Sequence, residues 1–225
     1  MEESRIGVWD YQHAENNKKS LSNCQYQETL DFLHLNNVLK QGDKVLEVGV
    51  GMGHVTNGFR ERGFSISGFD ISPIGLERVR KVCDVVYAFE DLENIPSNTF
   101  DVVLCNNVAQ HMPTPLLSYE MFHFIRILKK DGLLAVKSVA TDIMEDTGDD
   151  PELVVQHRKI PRPDGKLKCD ESIGCFCRSV VCFAKIIDRC GGIVKVISNV
   201  PCNVWHITET HIFHITKKTK EDLLK

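Results

Sequence analysis

No apolar run in the 225-residue chain approaches the roughly 20 residues that a bilayer-spanning helix needs, so no transmembrane segment is expected. The opening residues Met1-Glu2-Glu3-Ser4-Arg5 lack the basic-then-apolar layout of a secretion signal. Positive charge is not in excess. The 27 basic residues face 31 acidic ones, for a net charge of -4, which argues against broad capture of nucleic acid. No internal repeat is visible. Apolar residues make up 42% and charged residues 26%, the balance of a globular chain rather than a disordered one. Nine cysteines, an odd number without a secretory signal, read as reduced thiols rather than a disulfide framework. The expected location is the cytoplasm, with no membrane partner.

What the sequence does have is alternation. Cys24 to Leu39 predicts a helix, with Tyr26, Leu30 and Leu33 at helical spacing. Val45-Leu46-Glu47-Val48 is a short apolar run ending in a glycine cluster, the pattern of a buried strand. His54 to Arg62 predicts a helix and Ser65 to Phe69 a strand. Ser72-Pro73 then starts a helix running to about Cys83, with Ser as cap and Pro in the first turn. Val85 to Tyr87 and Phe100 to Cys105 predict two more strands. Pro113 to Lys129 predicts a helix with Leu117, Met121, Phe124, Ile125 and Leu128 on one face. Asp131-Gly132 ends it before a fifth strand, Leu133 to Val139.

Residues 140–177 are polar, proline-containing and aperiodic, which marks an insertion or lid. Val180 to Ile187 predicts a last helix, ended by Gly191-Gly192. Ile193 to Ile197 and Thr210 to Thr216 alternate like strands with no helix between them, so they should pair antiparallel. The expected fold is α/β: a doubly wound, mostly parallel seven-stranded sheet, Rossmann-like, with an antiparallel C-terminal strand pair. The chain 1–225 reads as a single domain, with 1–40 as an N-terminal helical cover. The sequence assigns no oligomeric state.

The most informative segment is Glu47-Val48-Gly49-Val50-Gly51-Met52-Gly53, a turn between a strand and a helix where glycine allows close approach to a ligand. Asp70 ends the next strand, 21 residues after Gly49, where a carboxylate can take both ribose hydroxyls of a nucleoside. His54 stands where a dinucleotide fingerprint wants a third small residue, and Glu47 would repel a pyrophosphate. A sulfonium or ammonium ligand suits that charge better than NAD does.

These residues resemble the class I S-adenosylmethionine-dependent methyltransferases. The resemblance rests on Glu47-x-Gly49-x-Gly51-x-Gly53, Asp70, Asp91-Leu92-Glu93-Asn94-Ile95-Pro96, Phe100-Asp101-Val102-Val103 and Leu128-Lys129-Lys130-Asp131-Gly132. It is close over residues 40–140 and looser over the last 45, through Arg178-Ser179 and the final strand pair. It implies S-adenosyl-L-methionine as cofactor, with Glu47, Gly49, Gly51 and Gly53 around its methionine end. Asp70, with Ile71 beside it, would bind the ribose. Asp91 would accept the adenine amino group, with the Leu92 backbone beside the ring. A shifted alignment puts Ala88 there instead, but Asp91 keeps Asn94-Ile95-Pro96 in phase. Asn106 and Asn107 would line the sulfonium side.

For the acceptor, the resemblance disfavours nucleic-acid bases. Cys105-Asn106-Asn107-Val108 stands where amine-methylating enzymes of that kind carry an Asn/Asp-Pro-Pro-aromatic motif. Pro201-Cys202 lies too near the C-terminus for a cytosine-methylating nucleophile and reads as a turn proline beside a thiol. His111 is the candidate base. Trp9, Tyr11 and His13 are expected over the acceptor, and Arg158, in a basic stretch reaching Lys168, is a candidate for binding an anionic group on it. His157 with Cys169, Cys175, Cys177 and Cys182 lacks the spacing of a zinc site, so no metal is expected. The leading reading is methyl transfer to an oxygen or nitrogen of a small polar metabolite. Its alternatives are a protein or peptide N-methyltransferase and a non-catalytic cofactor-binding module.

Overall fold

The computed structural model describes residues 35, 38–141, 153–154, 160–161, 167–168, 175–176, 178–201 and 209–222. Five strands run parallel: β1 (Lys44–Val48), β2 (Ser65–Phe69), β3 (Val86–Tyr87), β4 (Phe100–Asn106) and β5 (Leu128–Thr141). Crossing between them are α1 (His54–Glu61), α2 (Pro73–Val79) and α3 (Thr114–Ile127). Short strands β6 (Leu153–Val154), β7 (Ile160–Pro161), β8 (Leu167–Lys168), β9 (Cys175–Phe176) and β10 (Arg178–Ser179) follow, then α4 (Val180–Arg189), β11 (Gly192–Pro201) and β12 (Glu209–Lys217). The main sheet has the order β11-β12-β5-β4-β1-β2-β3, and β10 pairs with β5 beside it. The last two strands are antiparallel, as their alternation requires. The chain builds from β1 toward β3, then crosses to β4 and builds the other way. The crevice at that switch lies between β1 and β4, where ligands meet the carboxyl ends of such sheets.

Both faces of the sheet are covered, which is why its central strands read as unbroken apolar runs. On one face Leu46, Val103, Val136 and Phe213 meet Met121 and Phe124 of α3 and Phe183 of α4. Phe183 and Phe213 stack with centroids 4.4 Å apart. On the other face Val45, Ile66, Leu104 and Ile212 pack against Phe59 of α1. Ser72 caps α2 by accepting the Gly75 N–H at 3.1 Å, and Ser179 caps α4 by accepting that of Cys182.

Several boundaries differ from the sequence expectation. α2 stops at Val79 rather than near Cys83, because the Val82 and Cys83 N–H groups both close on the Val79 carbonyl and Asp84 then pairs back to Ile66. β5 begins at Leu128, not Leu133. Leu128 is fully buried opposite Phe100, and Lys129 reaches Asp101 at 2.7 Å, so packing draws these residues out of the helix. Leu35 and residues 38–40 form a turn rather than the end of a helix, with the Val38 and Leu39 N–H groups donating to the Leu35 carbonyl. The rest of the expected helix Cys24–Leu39 lies outside the described residues. The described parts of 140–177 form small antiparallel ladders, β6 with β9 and β7 with β8, which aperiodic sequence did not announce.

Arg126 of α3 binds the next layer together. Its guanidinium donates to the carbonyls of Ile95 at 2.6 Å, Leu92 at 3.0 Å and Glu93 at 3.3 Å. It thereby fastens the 3-10 helix Phe89–Asn94 to the core. We expect Arg126→Ala to lower unfolding free energy in denaturant titration by about 2–3 kcal/mol, since carbonyls lose a charged donor. Arg126→Lys should recover less than half, because one ammonium cannot reproduce the fork.

Candidate active site

After β1 the backbone turns through Gly49, Gly51 and Gly53 with φ of 72°, 48° and 77°, a region costly for side-chain-bearing residues. Two of these glycines also make room. A Cβ on Gly49 would run into the side chain of Val108, and one on Gly53 would stand 2.7 Å from Val79 Cγ1. Gly49 thus lets the loop after β4 close over β1, and Gly53 lets α2 pack against the head of α1. The Gly51 N–H donates to Asp70 Oδ2 and the Ser72 N–H to Asp70 Oδ1, each at 2.9 Å. One carboxylate therefore ties the turn to the start of α2.

A cavity opens where β1, β2 and β4 end. Of the residues singled out in the sequence, Gly49, Gly51, Asp70, Ile71, Asn106, Asn107 and His111 line it. Asn107 has φ of 59° and donates its N–H to the Lys137 carbonyl at 2.9 Å, which holds the loop after β4 in a left-handed turn. His111 ends the 3-10 helix Ala109–His111. Below it, fully buried Arg178 donates to the Met112 carbonyl at 2.6 Å and to Thr114 Oγ1 at 3.2 Å. That grip fixes the segment carrying His111 relative to β10.

Four of the expected residues stand back from the cavity lining: Glu47, Gly53, Asp91 and Leu92. Asp91 Oδ2 accepts the Ala88 N–H at 2.8 Å, closing its own helical turn. Leu92 buries its side chain in the core and gives its carbonyl to Arg126. Trp9, Tyr11, His13 and Arg158 lie outside the described residues, as do His157, Cys169, Cys177 and Cys202.

Glu47 departs from the simple charge argument. Its carboxyl is buried under the turn and accepts the Thr56 hydroxyl at 2.5 Å. Burial, with the nearby charge of Asp70, pushes its pKa up to about 8 against the lowering pull of Thr56. At neutral pH with no ligand it keeps its proton, and Asp70 carries the negative charge of the turn.

Sequence reasoning missed one polar group that lines the cavity. Glu120 of α3 is 1% exposed and shares the wall with Val108, Met112 and Leu116. A signal was available: Glu120 sits three residues after Leu117 and four before Phe124, a carboxylate on the apolar face of an amphipathic helix. Among the described residues, no group of three or more His, Cys, Asp or Glu side chains could hold a metal ion. Among them, too, no helix is long and apolar enough to cross a membrane.

The family described as "Methyltransferase domain" matches residues 15–168, more than half of the chain. The "Probable methyltransferase ltbC" of Aspergillus luteorubrus is 33% identical over 117 residues, covering 44% of this chain and 41% of the relative. A ubiquinone biosynthesis O-methyltransferase of Neisseria meningitidis is 29% identical over 108 residues, covering 44% of this chain and 44% of the relative. The aligned region thus spans under half the length of these relatives. In fold, the chain resembles Burkholderia thailandensis 1,6-didemethyltoxoflavin-N1-methyltransferase, solved with 1,6-didemethyltoxoflavin and S-adenosylhomocysteine. The TM-score is 0.66 at 15% identity, over 97% of this chain and 90% of that one. With its glycine turn, its acidic strand end and this match, the chain belongs to the class I S-adenosylmethionine-dependent methyltransferase family.

Proposed function

We propose that the protein moves a methyl group from S-adenosylmethionine to an oxygen or nitrogen of a small polar molecule. The observation that carries this reading is Asp70, whose carboxylate lines the cavity from the end of β2 while holding the glycine turn. The residues present fit the cofactor. Asp70 presents its carboxylate to the cavity, where it could accept hydrogen bonds from ribose hydroxyls. Asn106 Oδ1 is a buried acceptor with no hydrogen-bond partner, as expected where a ligand supplies the donor. Gly49 and Gly51 leave backbone, not side chain, against the ligand.

When bound, the cofactor supplies an electrophilic methyl group on a positively charged sulfur. Glu47 balances positive charge at the methionine end from beneath the turn, beside Gly53. Ile71 would lie by the ribose, Asn106 and Asn107 would line the sulfonium side, and Asp91 with the Leu92 backbone would hold the adenine. His111 receives a proton when the acceptor is a hydroxyl or a protonated amine. Trp9, Tyr11, His13 and Arg158 would serve the acceptor, within a single domain in which 1–40 would be a cover and 140–177 an insertion or lid. A small acceptor is supported by the apolar wall of Val48, Phe69, Met112 and Leu116 and by the resemblance to a ubiquinone biosynthesis O-methyltransferase and to 1,6-didemethyltoxoflavin-N1-methyltransferase.

The first test is a thermal shift. S-adenosylhomocysteine at a hundred times its Kd should stabilise the fold by about 2.7 kcal/mol, and NAD should not. A shift with NAD alone overturns the reading. Asp70→Ala should weaken S-adenosylhomocysteine binding by about 1–3 kcal/mol in calorimetry, and unchanged affinity would remove the ribose assignment. His111→Ala should lower turnover on a hydroxyl acceptor by about 10²-fold or more while leaving that affinity intact.

Glu47 gives a pH signature. Below about pH 8 the empty site holds a proton there, which a ligand ammonium must expel. Affinity for S-adenosylhomocysteine should therefore rise with pH, by at most about tenfold per unit, and level off once Glu47 is ionised. The same group acts on stability. The unfolded carboxyl ionises near 4.5 and the folded one near 8, so its contribution to stability is full at low pH and falls between those values. Glu47→Gln should flatten both profiles.

A further inference from the structure

We propose that Arg126 is a positioning residue for base selection: it holds the 3-10 helix Phe89–Asn94 where Asp91 reads the amino group of adenine. This rests on the cofactor reading above. Arg126 itself stands outside the cavity lining, so it acts through that helix. The helix starts beside the ribose carboxylate. The Asp70 N–H donates to the Tyr87 carbonyl at 3.3 Å, and the next residue, Ala88, donates its N–H to Asp91 Oδ2 at 2.8 Å. A base joined to a ribose at Asp70 meets this turn, and the Ala88 bond fixes how the Asp91 carboxylate is set. Buried Leu92 and Ile95 and the Arg126 side chain fasten the turn to the core.

Arg126 suits that task by charge and by shape. The last carbonyls of a helix lack partners within it, and a protonated guanidinium supplies donors there. Nη1 donates to the Ile95 carbonyl and to Ser97 Oγ, and Nη2 to the carbonyls of Leu92 and Glu93. Nε donates to His123 Nδ1 at 3.2 Å. With all three nitrogens engaged, the plane of the fork has one orientation. Its root is equally fixed, because the Arg126 carbonyl accepts Lys217 Nζ at 2.8 Å and the Asn98 N–H at 3.3 Å. Leu92 follows Asp91 directly, so slack at the Leu92 carbonyl displaces Asp91. A displaced acceptor weakens a hydrogen bond to the base steeply. It leaves Asp70 in place, since Gly51 and Ser72 hold that carboxylate separately.

The test compares two ligands on the full chain by titration calorimetry, with a melt of each variant to show that it is folded. One is S-adenosylhomocysteine; the other is its 6-deamino analogue, in which hydrogen replaces the adenine amino group. The wild-type chain should prefer S-adenosylhomocysteine by about tenfold or more, the size of one charged hydrogen bond. R126Q should cut that preference to about threefold or less while binding the analogue within about twofold of wild type, and R126K should fall between. D91N should lose the preference too, and R126Q with D91N should lose no more than D91N alone. A preference that folded R126Q leaves unchanged overturns the proposal. So does equal weakening of both ligands, which is what a merely structural role produces. One arm needs no variant to fold: S-adenosylhomocysteine should slow amide hydrogen exchange over residues 88–95 of the wild-type chain more than the analogue does, and equal slowing overturns the proposal. Binding of S-adenosylhomocysteine with no preference over the analogue also overturns it. Failure to bind S-adenosylhomocysteine at all is a different result, and removes the cofactor reading on which the proposal stands.

Discussion

Asp70 ends β2 with both carboxylate oxygens engaged by backbone, one by Gly51 and one by Ser72, each at 2.9 Å. The first bond fixes a turn that only glycine can make, and the second fixes the head of α2. From this point the rest of the site follows by contact. The fixed turn presents Gly49 to Val108, and Val108 begins the segment that carries Ala109–His111. Arg178 grips the same segment from β10 through Met112 and Thr114. A carboxylate and a guanidinium, on elements far apart in sequence, thus hold the two lips of one cavity.

The electrostatics follow from burial rather than from formal charge. Three acidic residues surround the switch between β1 and β4, but they do not act alike. Glu47 lies under the turn, desolvated and close to Asp70, and so keeps its proton to about pH 8. Asp70 accepts the backbone N–H groups of Gly51 and Ser72. Glu120 reaches the cavity from the helix side, in a wall shared with Val108, Met112 and Leu116.

Much of the architecture was legible in local pattern. The glycine cluster after Val45–Val48, the Ser72-Pro73 start and the two alternating segments near the C-terminus each have a local physical cause, and each element formed. Boundaries were less legible. Leu128 looks helical by spacing, yet its burial against Phe100 draws it into β5. Asp91 and Leu92 were placed by family phase alone. The structure has Asp91 capping its own turn and the Leu92 carbonyl held by Arg126, a contact 34 residues away that no local reading shows.

The sequence by itself determined the alternating α/β plan, the glycine turn and the acidic residue at the end of β2, because periodicity, φ preference and spacing are properties of short segments. Only the tertiary structure decided which acidic groups face the cavity and which one, Glu47, is buried under the turn. Those outcomes depend on desolvation and on neighbours brought together from separate strands and helices, as Glu47 with Thr56 and Asp70 illustrates. Charge in a site is set by surroundings that the chain acquires only on folding.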